Sequence, residues 1–537
     1  MEMFNNRKHL FASLAKGLGI FTLFILLFLQ SFEKVQAEGR RETSTTEEQT
    51  VVEKQGKTPK YVFLFIGDGM SYAQVQSTAF FLGKDAGDKV SVVQKSDDPS
   101  LSPKASKLAF MDFPAAGSAQ TYDATSFAPD SASTATSILT GYKTHSGSIN
   151  VDTTKKNTYP TIAEQLKAQK NWKIGVISTV NLNHATPAAV YAHQASRSYN
   201  YPIGLELVKS GFDFFAGGAL MDPTDKNKDK ESIYDLAKKA GYTVALTQKE
   251  AQLLTPQNNP KSIIIGEKLA DANSLPYEID REDGDWALKD YVKKGIEMLD
   301  NDTGFFMMIE SGKIDWACHA NDAAATIHDT AAFNDSIEEA LSFYNKHPEE
   351  TLIIVTADHE TGGLSIGFAG TNYDTYLDNL ENQKISYAQF DKQYAASYKA
   401  NKTPLADVMK DVELLFGLVT EESASLKETS GSPVKNKTLI LSSFEMDRIK
   451  AAYDKTMSST SKERNQDEYV MYGSYEPLTV TITNILNNKS GIAFTSYSHT
   501  GLPVPVFAKG IGSQEFAGYY DNTDIYKKLA SLTKVIK

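Results

Sequence analysis

The sequence has only one cysteine, Cys318, among its 537 residues. A disulfide within the chain is therefore impossible, and rigidity must come from a large core, from bound metal ions or from association with another copy. The length exceeds what one compact core usually needs, so it predicts either several domains or one large α/β domain with insertions. Hydrophobic residues make up 41% of the chain, an ordinary share for a globular protein.

Positive charge is scarce as well. The chain carries 55 Lys and Arg residues against 67 Asp and Glu residues, a net charge of -12 at pH 7. A nucleic acid is therefore excluded as a partner that binds through bulk charge. An acidic protein still binds phosphate where metal cations and an arginine dominate the local field.

The N-terminus has no hydrophobic run long enough to span a membrane. The apolar stretch at residues 18–29 is short of the roughly 20 residues that a spanning helix needs. Arg7 and Lys8 precede this stretch and small residues before position 38 offer a cleavage site. The pattern predicts a signal peptide over residues 1–37 and an exported protein, periplasmic or extracellular; an uncleaved anchor is the alternative. Residues 38–58 are polar without periodicity, which predicts a flexible leader.

Short apolar runs alternate with helical patterns through the rest of the chain. The clearest runs are residues 61–66, 173–178, 305–309 and 352–356. Buried runs separated by helices predict an α/β fold, a three-layer αβα sandwich around a mostly parallel sheet. From about residue 370 to 488 the sequence becomes rich in charged and helix-forming residues, which predicts a helical insertion. The insertion is either a surface embellishment, a cover for the active site or a dimer contact.

Side chains of the metal-ligand type follow these runs. In open α/β sheets, ligands bind outside the carboxyl ends of the strands. One such residue alone is often only a helix cap, but four runs that each lead to one indicate a shared site. The residues are Asp68, Glu310, Asp358 and His359, with His184 and Thr186 a few positions beyond the run at 173–178.

Two further segments contain candidate metal-ligand or catalytic residues. Asp315 and His319 are spaced i, i+4, so they share one helix face and suit a single zinc ion; the alternative is a surface pair at a helix turn. Ser131 follows Pro129 and Asp130 at a predicted helix start, where backbone N–H groups and the helix dipole favour a phosphate. A capping box without chemistry is the alternative for that segment.

Six segments resemble the alkaline phosphatases in order and spacing. They spread over nearly the whole chain after the leader, so that residues 59–537 read as one alkaline phosphatase domain with the insertion poorly matched. The segments are FIGDGM (65–70), PDSASTATSILTG (129–141), HATPAAVYAHQASR (184–197), FFMMIESGKIDWACH (305–319), VTADHETGG (355–363) and SHTGLPVPVFAKG (498–510).

The resemblance implies hydrolysis of small-molecule phosphate monoesters at alkaline pH, through a phosphoserine on Ser131, with transfer of phosphate to alcohols. It also implies a homodimer, and Arg197 as the group that grips phosphate. The implied cofactors are two Zn²⁺ and one Mg²⁺. The implied ligands are Asp315, His319 and His499 for one zinc, Asp68, Asp358, His359 and Ser131 for the other, and Asp68, Thr186 and Glu310 for magnesium.

The sequence departs from the enterobacterial alkaline phosphatase at two positions. His184 stands where that enzyme has an aspartate near magnesium, and Trp316 stands where it has a lysine that reaches phosphate through water. Other family members carry these residues, so the resemblance holds. The departures predict weaker binding of magnesium and weaker binding of the phosphate product. The alternative role of Trp316 is simple packing. Phosphodiesterases and sulfatases share much of the metal framework, but the serine, Arg197 and the complete ligand set favour a monoesterase.

Overall fold

The computed structural model describes residues 57–83, 106–434, 436–458 and 464–536. The predicted signal peptide, and all of the predicted leader except its last two residues, lie outside the described residues. Within the described ranges, every helix is too short or too polar to cross a membrane.

The strands alternate with helices along most of the chain. They are β1 Tyr61–Gly67, β2 Ala115–Gln120, β3 Lys173–Asn181, β4 Phe214–Gly218, β5 Thr243–Ala245, β6 Ser262–Ile265, β7 Phe305–Ser311, β8 Thr351–Thr356, β9 Glu360–Thr361, β10 Ser365–Ile366, β11 Ile492–Ala493, β12 His499–Thr500, β13 Val504–Gly510 and β14 Gly518–Asp521.

The helices of the first two thirds of the chain are α1 Tyr72–Gly83, α2 Ser131–Thr140, α3 Ile162–Lys170, α4 Ala185–Ala188, α5 Asn200–Ser210, α6 Ile233–Lys239, α7 Gln248–Gln252, α8 Leu288–Leu299, α9 Lys313–His319 and α10 Ala323–Tyr344. Those that follow are α11 Tyr387–Phe390, α12 Ala396–Asn401, α13 Leu405–Phe416, α14 Glu421–Thr429, α15 Ser443–Ser458, α16 Gln466–Tyr472, α17 Pro477–Lys489 and α18 Thr523–Thr533.

One large sheet organises the fold. Its ten strands run in the order β14-β2-β13-β8-β1-β7-β3-β4-β6-β5. Every neighbouring pair is parallel except the two pairs that β13 makes, which are antiparallel. Every residue of β1, β7 and β8 is buried, and since successive side chains point to opposite faces, both faces of the sheet must be covered. The predicted mostly parallel sheet between helical layers is confirmed.

The register aligns the carboxyl ends of the central strands. Ile66 of β1 pairs with Glu310 of β7 and with Thr356 of β8, and Ser178 of β3 pairs with Glu310. These pairings bring the residues that follow β1 and β8 to the same edge as the end of β7. The edge therefore gathers Asp68, Glu310, Asp358 and His359.

The region of the predicted insertion is largely helical and packs its own apolar cluster. Phe390, Val412 and Ile482 are fully buried in that cluster. Phe81 of α1 and Ile327 of α10 belong to the same cluster, so these helices of the main fold form its floor. The helical segment therefore supplies most of a second apolar core, which α1 and α10 of the main fold complete.

Candidate metal and phosphate site

Ser131 is the first residue of α2 and is almost fully buried. The carboxylate of Asp130 caps the helix by accepting a hydrogen bond from the backbone N–H of Ser133 at 3.1 Å. The Ser131 Oγ lies 3.1 Å from Nε2 of His359. The hydroxyl therefore stands at a helix N-terminus and beside a side chain of the carboxyl edge of the sheet.

The imidazoles of His319 and His499 face each other at a distance that favours a bound cation. Nδ1 of His319 lies 2.7 Å from the carbonyl oxygen of Tyr497, and Nδ1 of His499 lies 2.6 Å from that of Pro129. A carbonyl only accepts, so each Nδ1 carries the proton and each neutral ring presents a lone pair on Nε2. The two Nε2 atoms are 3.0 Å apart. Two lone pairs at that distance repel each other unless a cation lies between them.

Asp315 completes this first cluster. Its Oδ1 lies 3.4 Å from Nε2 of His319 and 3.6 Å from Nε2 of His499. Thr361 Oγ1 donates to the same carboxylate at 2.5 Å and orients it. Two imidazoles and a carboxylate are a donor set that zinc prefers.

The second cluster contains Asp68, Asp358 and His359, all fully buried. Nε2 of His359 lies 3.5 Å from Oδ1 of Asp68 and 3.4 Å from Oδ2 of Asp358. Burial first, and then the charge of Asp315, raises the pKa of Asp358 to about 7. Burial, followed by the charge of Asp358, raises the pKa of Asp68 well above its ordinary value. Buried carboxylates this close together fit a bound cation, which removes their repulsion.

The third cluster lies on the other side of Asp68. Oδ1 of Asp68, Oε1 of Glu310 and Nδ1 of His184 are buried and have no hydrogen-bond partner in the described part of the chain. Burial is the main cause that raises the pKa of Glu310, to about 8. Oγ1 of Thr186 lies 3.4 Å from Oδ2 of Asp68 and adds another oxygen. An oxygen-rich group with unsatisfied acceptors fits a hard cation such as magnesium.

His184 adjoins the third cluster without being one of its acceptors. Its Nε2 lies 2.9 Å from Nη2 of Arg197, which can only donate, so the neutral ring carries its proton on Nδ1. Burial first, and then the charge of Arg197, lowers the pKa of His184 to about 3 and keeps the ring neutral. An Nδ1–H group cannot ligate a cation, but it can donate to a water that does. The ring also contacts Trp316 edge to face at a centroid distance of 5.8 Å.

Arg197 is held on both sides. Its Nη1 donates to Oδ2 of Asp130 at 2.9 Å, and Nη2 faces His184. Burial alone would raise the pKa of Asp130. Arg197 and the N–H of Gly147 outweigh burial and lower the pKa to about 2. The Arg197 side chain is 27% exposed, so it is accessible to an anion.

The structure thus brings together all of the residues predicted as ligands, and it adds three that sequence reasoning missed. Asp130 is expected from the sequence only at the helix start or in a capping box, and in the structure it also holds Arg197. Thr361 orients Asp315, and Ser178 Oγ donates to Oε2 of Glu310 at 2.5 Å. Nothing in the sequence around Thr361 or Ser178 predicts that its hydroxyl bonds to a metal ligand.

Comparison with known proteins identifies the family. The family model described as "Alkaline phosphatase" matches residues 59–210 and 214–535. The chain belongs to the alkaline phosphatase family. Alkaline phosphatase 4 of Bacillus subtilis is 29% identical over 489 residues, which cover 89% of each protein. Alkaline phosphatase 3 of the same organism is 31% identical over 409 residues, 74% of this chain and 76% of the relative.

Solved structures of alkaline phosphatases share the fold. The cold-active alkaline phosphatase of Shewanella sp. superposes with a TM-score of 0.66 at 27% identity, over 88% of this chain and 99% of that one. A mutant of the TAB5 alkaline phosphatase, solved with bound Mg, gives a TM-score of 0.57 at 26% identity, over 90% and 99%. Alkaline phosphatase membership makes this chain a hydrolase of phosphate monoesters, and the family implies metal ions.

Proposed function

We propose that the chain hydrolyses phosphate monoesters in two steps through a phosphoserine on Ser131, at a site for two zinc ions and one magnesium ion. The observation that carries the proposal is the position of the Ser131 hydroxyl. Ser131 begins helix α2, and its hydroxyl contacts His359. The His359 ring also stacks on His499 at a ring-centroid distance of 3.7 Å. The nucleophile therefore contacts the second cluster directly, and the His359 ring connects it with His499 of the first cluster.

The ligand sets follow the three clusters. The donor types fit zinc at the two imidazole-containing clusters and magnesium at the oxygen-rich one. When bound, the ions supply positive charge that lowers the pKa of the attacking hydroxyl and stabilises the departing oxygen. The proposed ligands are Asp315, His319 and His499 for one zinc, Asp68, Asp358, His359 and Ser131 for the other, and Asp68, Thr186 and Glu310 for magnesium.

The chain's own groups bind and orient the phosphate. The first turn of α2 offers backbone N–H groups and a favourable dipole at Ser131. The guanidinium of Arg197 is planar. Its orientation is fixed because Nη1 bonds to Asp130 and Nη2 bonds to His184. Charge that builds on the transferring oxygens therefore meets a positioned cation.

Phosphate transfer to an alcohol tests the two-step route. A phosphoserine partitions between water and other nucleophiles, so adding an amino alcohol such as diethanolamine should yield phosphorylated amino alcohol beside inorganic phosphate. We expect total turnover of an aryl phosphate at alkaline pH to exceed the release of inorganic phosphate, as measured by product quantification. Equal amounts of alcohol product and inorganic phosphate at every amino alcohol concentration would contradict a covalent intermediate.

The pair His184 and Trp316 is expected to set magnesium and phosphate affinity. A neutral imidazole brings no negative charge to the magnesium site, and Trp316 brings no cation to the phosphate. The double variant His184→Asp with Trp316→Lys should therefore bind magnesium and inorganic phosphate each about tenfold more tightly, through charge-assisted contacts. The checks are the phosphate inhibition constant and a magnesium titration of activity.

The packing alternative for Trp316 has its own signature. The Lys313 ammonium lies 4.7 Å from the centroid of the Trp316 ring, so the ring has a packing partner besides His184. The single variant Trp316→Phe, which keeps an aromatic ring, is the matched control. Unchanged phosphate affinity in the double variant, with only a lower Tm, would assign Trp316 to packing.

We also propose that the mature protein is exported and forms a homodimer. The support is the N-terminal sequence pattern for export and family membership for the dimer. N-terminal sequencing of the protein recovered outside the cytoplasm tests the first proposal, and sedimentation equilibrium tests the second. A retained N-terminus or a monomer would contradict them separately.

A further inference from the structure

His193 is held between two glutamates that belong to different helices. Nε2 of its ring lies 3.4 Å from Oε2 of Glu164 in α3, and Nδ1 lies 3.6 Å from Oε2 of Glu206 in α5. The His193 side chain is only 17% exposed, so solvent and salt screen these contacts less than they screen a surface ion pair. A ring with a carboxylate near each nitrogen is stabilised when both nitrogens carry protons.

The surroundings of the ring favour its charged form. Nε2 also lies 3.1 Å from the carbonyl oxygen of Tyr159, which only accepts, so a neutral ring would turn the lone pair of Nδ1 toward Glu206. Burial alone would lower the pKa of His193. Contacts with Glu164 and Glu206 outweigh burial and raise the pKa to about 9. Burial, followed by the charge of Glu206, raises the pKa of the Tyr191 hydroxyl well above its ordinary value, so this neighbour adds no charge.

Glu206 also fastens the segment that carries Arg197. Its carboxylate accepts a hydrogen bond from the backbone N–H of His193 at 2.5 Å and another from the side-chain amide of Gln194. Arg197 comes after these two residues and just before α5, which begins at Asn200. The segment is therefore tied at its beginning to the helix that follows it.

The same segment is bound to the loop that follows α2. Gln194 and Ile149 exchange two backbone hydrogen bonds, of 2.9 and 3.0 Å. The N–H of Arg197 donates to the carbonyl of Gly147 at 2.8 Å. The N–H of Gly147 in turn donates to Oδ1 of Asp130 at 2.8 Å, and Oδ2 of Asp130 accepts from Nη1 of Arg197. A shift of the segment would therefore reach the guanidinium through its backbone and through Asp130.

We propose that His193 is a positioning residue for Arg197, because its charged ring joins Glu164 to Glu206 and so fixes the segment that directs the guanidinium toward phosphate. The inference rests on the proposed function, in which Arg197 binds phosphate. When the ring loses its proton, the two carboxylates lose the cation that lies between them. The segment then loosens, and phosphate affinity falls as the pH rises through about 9.

The test measures the binding of inorganic phosphate to the metal-loaded protein by calorimetry, from about pH 7 to about pH 10.5. His193→Gln should raise the Kd for phosphate about tenfold at pH 7, because the charge-assisted contact with Arg197 loses its fixed geometry. At pH 10.5 the two proteins should agree within about twofold, because the unchanged protein then also lacks the charge on His193. A purely structural role of His193 would give the same ratio at every pH, and that result would overturn the proposal.

Glu206→Gln is a second variant that reports on the charge alone. The amide keeps an oxygen that can accept the backbone N–H bond of His193. The pKa of His193 should fall from about 9 toward its ordinary value of 6.5, so the loss of phosphate affinity should move to lower pH by a similar amount. A loss that stays near pH 9 in Glu206→Gln would contradict the ionic role of His193.

His347→Gln is the matched control. His347 is also a histidine beside a glutamate, with Nδ1 3.7 Å from Oε2 of Glu350, but it precedes β8 and so lies at the end of the sheet opposite the site. Its Kd for phosphate should equal that of the unchanged protein at every pH. Arg197→Ala separates this inference from the proposed function. If Arg197→Ala binds phosphate normally, both fail, whereas weak binding by Arg197→Ala with normal binding by His193→Gln would overturn only the role of His193.

Discussion

Ser131→Ala should lower kcat on the order of 10⁴-fold while zinc and magnesium contents stay near those of the unchanged protein. The variant loses the attacking oxygen, whereas the three clusters and Arg197 keep their other donors. Removing one small hydroxyl at a helix start leaves the Asp130 cap intact, because that cap bonds to the N–H of Ser133. The measurements are steady-state hydrolysis of an aryl phosphate and metal analysis of the same sample.

Ser137→Ala is the matched control for this variant. Ser137 is a buried serine of the same helix, and its hydroxyl donates to the carbonyl of Ser133 at 3.0 Å. Its loss should leave kcat within a few-fold, because Ser/Thr bonds to the preceding helical turn add little stability. Wild-type turnover by Ser131→Ala would assign the nucleophile elsewhere, and loss of zinc from it would indicate that Ser131 matters mainly as a ligand.

Removal of the metals is expected to abolish activity and to lower Tm by about 10 °C. Three ions at about a thousand times their Kd contribute roughly 4 kcal/mol each, and a domain of this size loses about 1 °C per kcal/mol. The ions connect separate parts of the chain, since Asp68 follows β1, Asp358 follows β8 and His499 comes after the insertion. Dialysis against a chelator followed by calorimetry gives both readouts.

Adding zinc and magnesium back is the control for chelator damage. Restored activity and Tm together would show that the metals stabilise the same structure that catalyses. A Tm that does not change on metal removal would contradict the proposal that these clusters are metal sites joining the parts of the fold.

The metal-free protein should also become less stable as pH rises. Glu310 has a pKa of about 8 against an ordinary value of 4.5, and Asp358 about 7 against 3.8, with burial as the main cause of each shift. The folded state thus keeps protons that the unfolded state releases. This contribution to stability is complete below about pH 4 and is lost as pH rises through 7 to 8. The difference in Tm between metal-loaded and metal-free protein should therefore widen from pH 5 to pH 9.

The central strands could be predicted because a buried strand is a local pattern. The apolar runs at residues 61–66, 173–178, 305–309 and 352–356 correspond to β1, β3, β7 and β8. The antiparallel direction of β13 could not be predicted, since a run of apolar residues reads the same in either direction. Its partners β2 and β8 are distant in sequence, and only the assembled sheet fixes the orientation.

The candidate site divides in the same way. Asp68, Glu310 and Asp358 could be predicted from their places at strand ends. The bond between Asp130 and Arg197 joins residues 67 positions apart, and no spacing rule connects them. Lys313 was also beyond sequence reasoning, because lysine is rarely buried.

Lys313 nevertheless has no exposed side-chain surface. Its ammonium bonds to Asp271 at 2.8 Å and lies 3.6 Å from the centroid of the Tyr277 ring. Asp271 lies 42 positions before Lys313 in the sequence, so the two residues meet only in the folded chain. A buried charge of this kind depends on tertiary contacts that a local pattern does not contain.

The place of β13 in the sheet determines when the protein can finish folding during its synthesis. Both neighbours of β2 are made from the last part of the chain, and the contact between Ser118 and Val504 joins residues 386 positions apart. A growing chain emerges from the ribosome with its N-terminus first. Until the final strands emerge, β2 has no partner and β8 has an open edge. A chain released about 35 residues early would therefore expose pairing edges to aggregation, and β2 must wait unpaired until almost the whole chain has been translated.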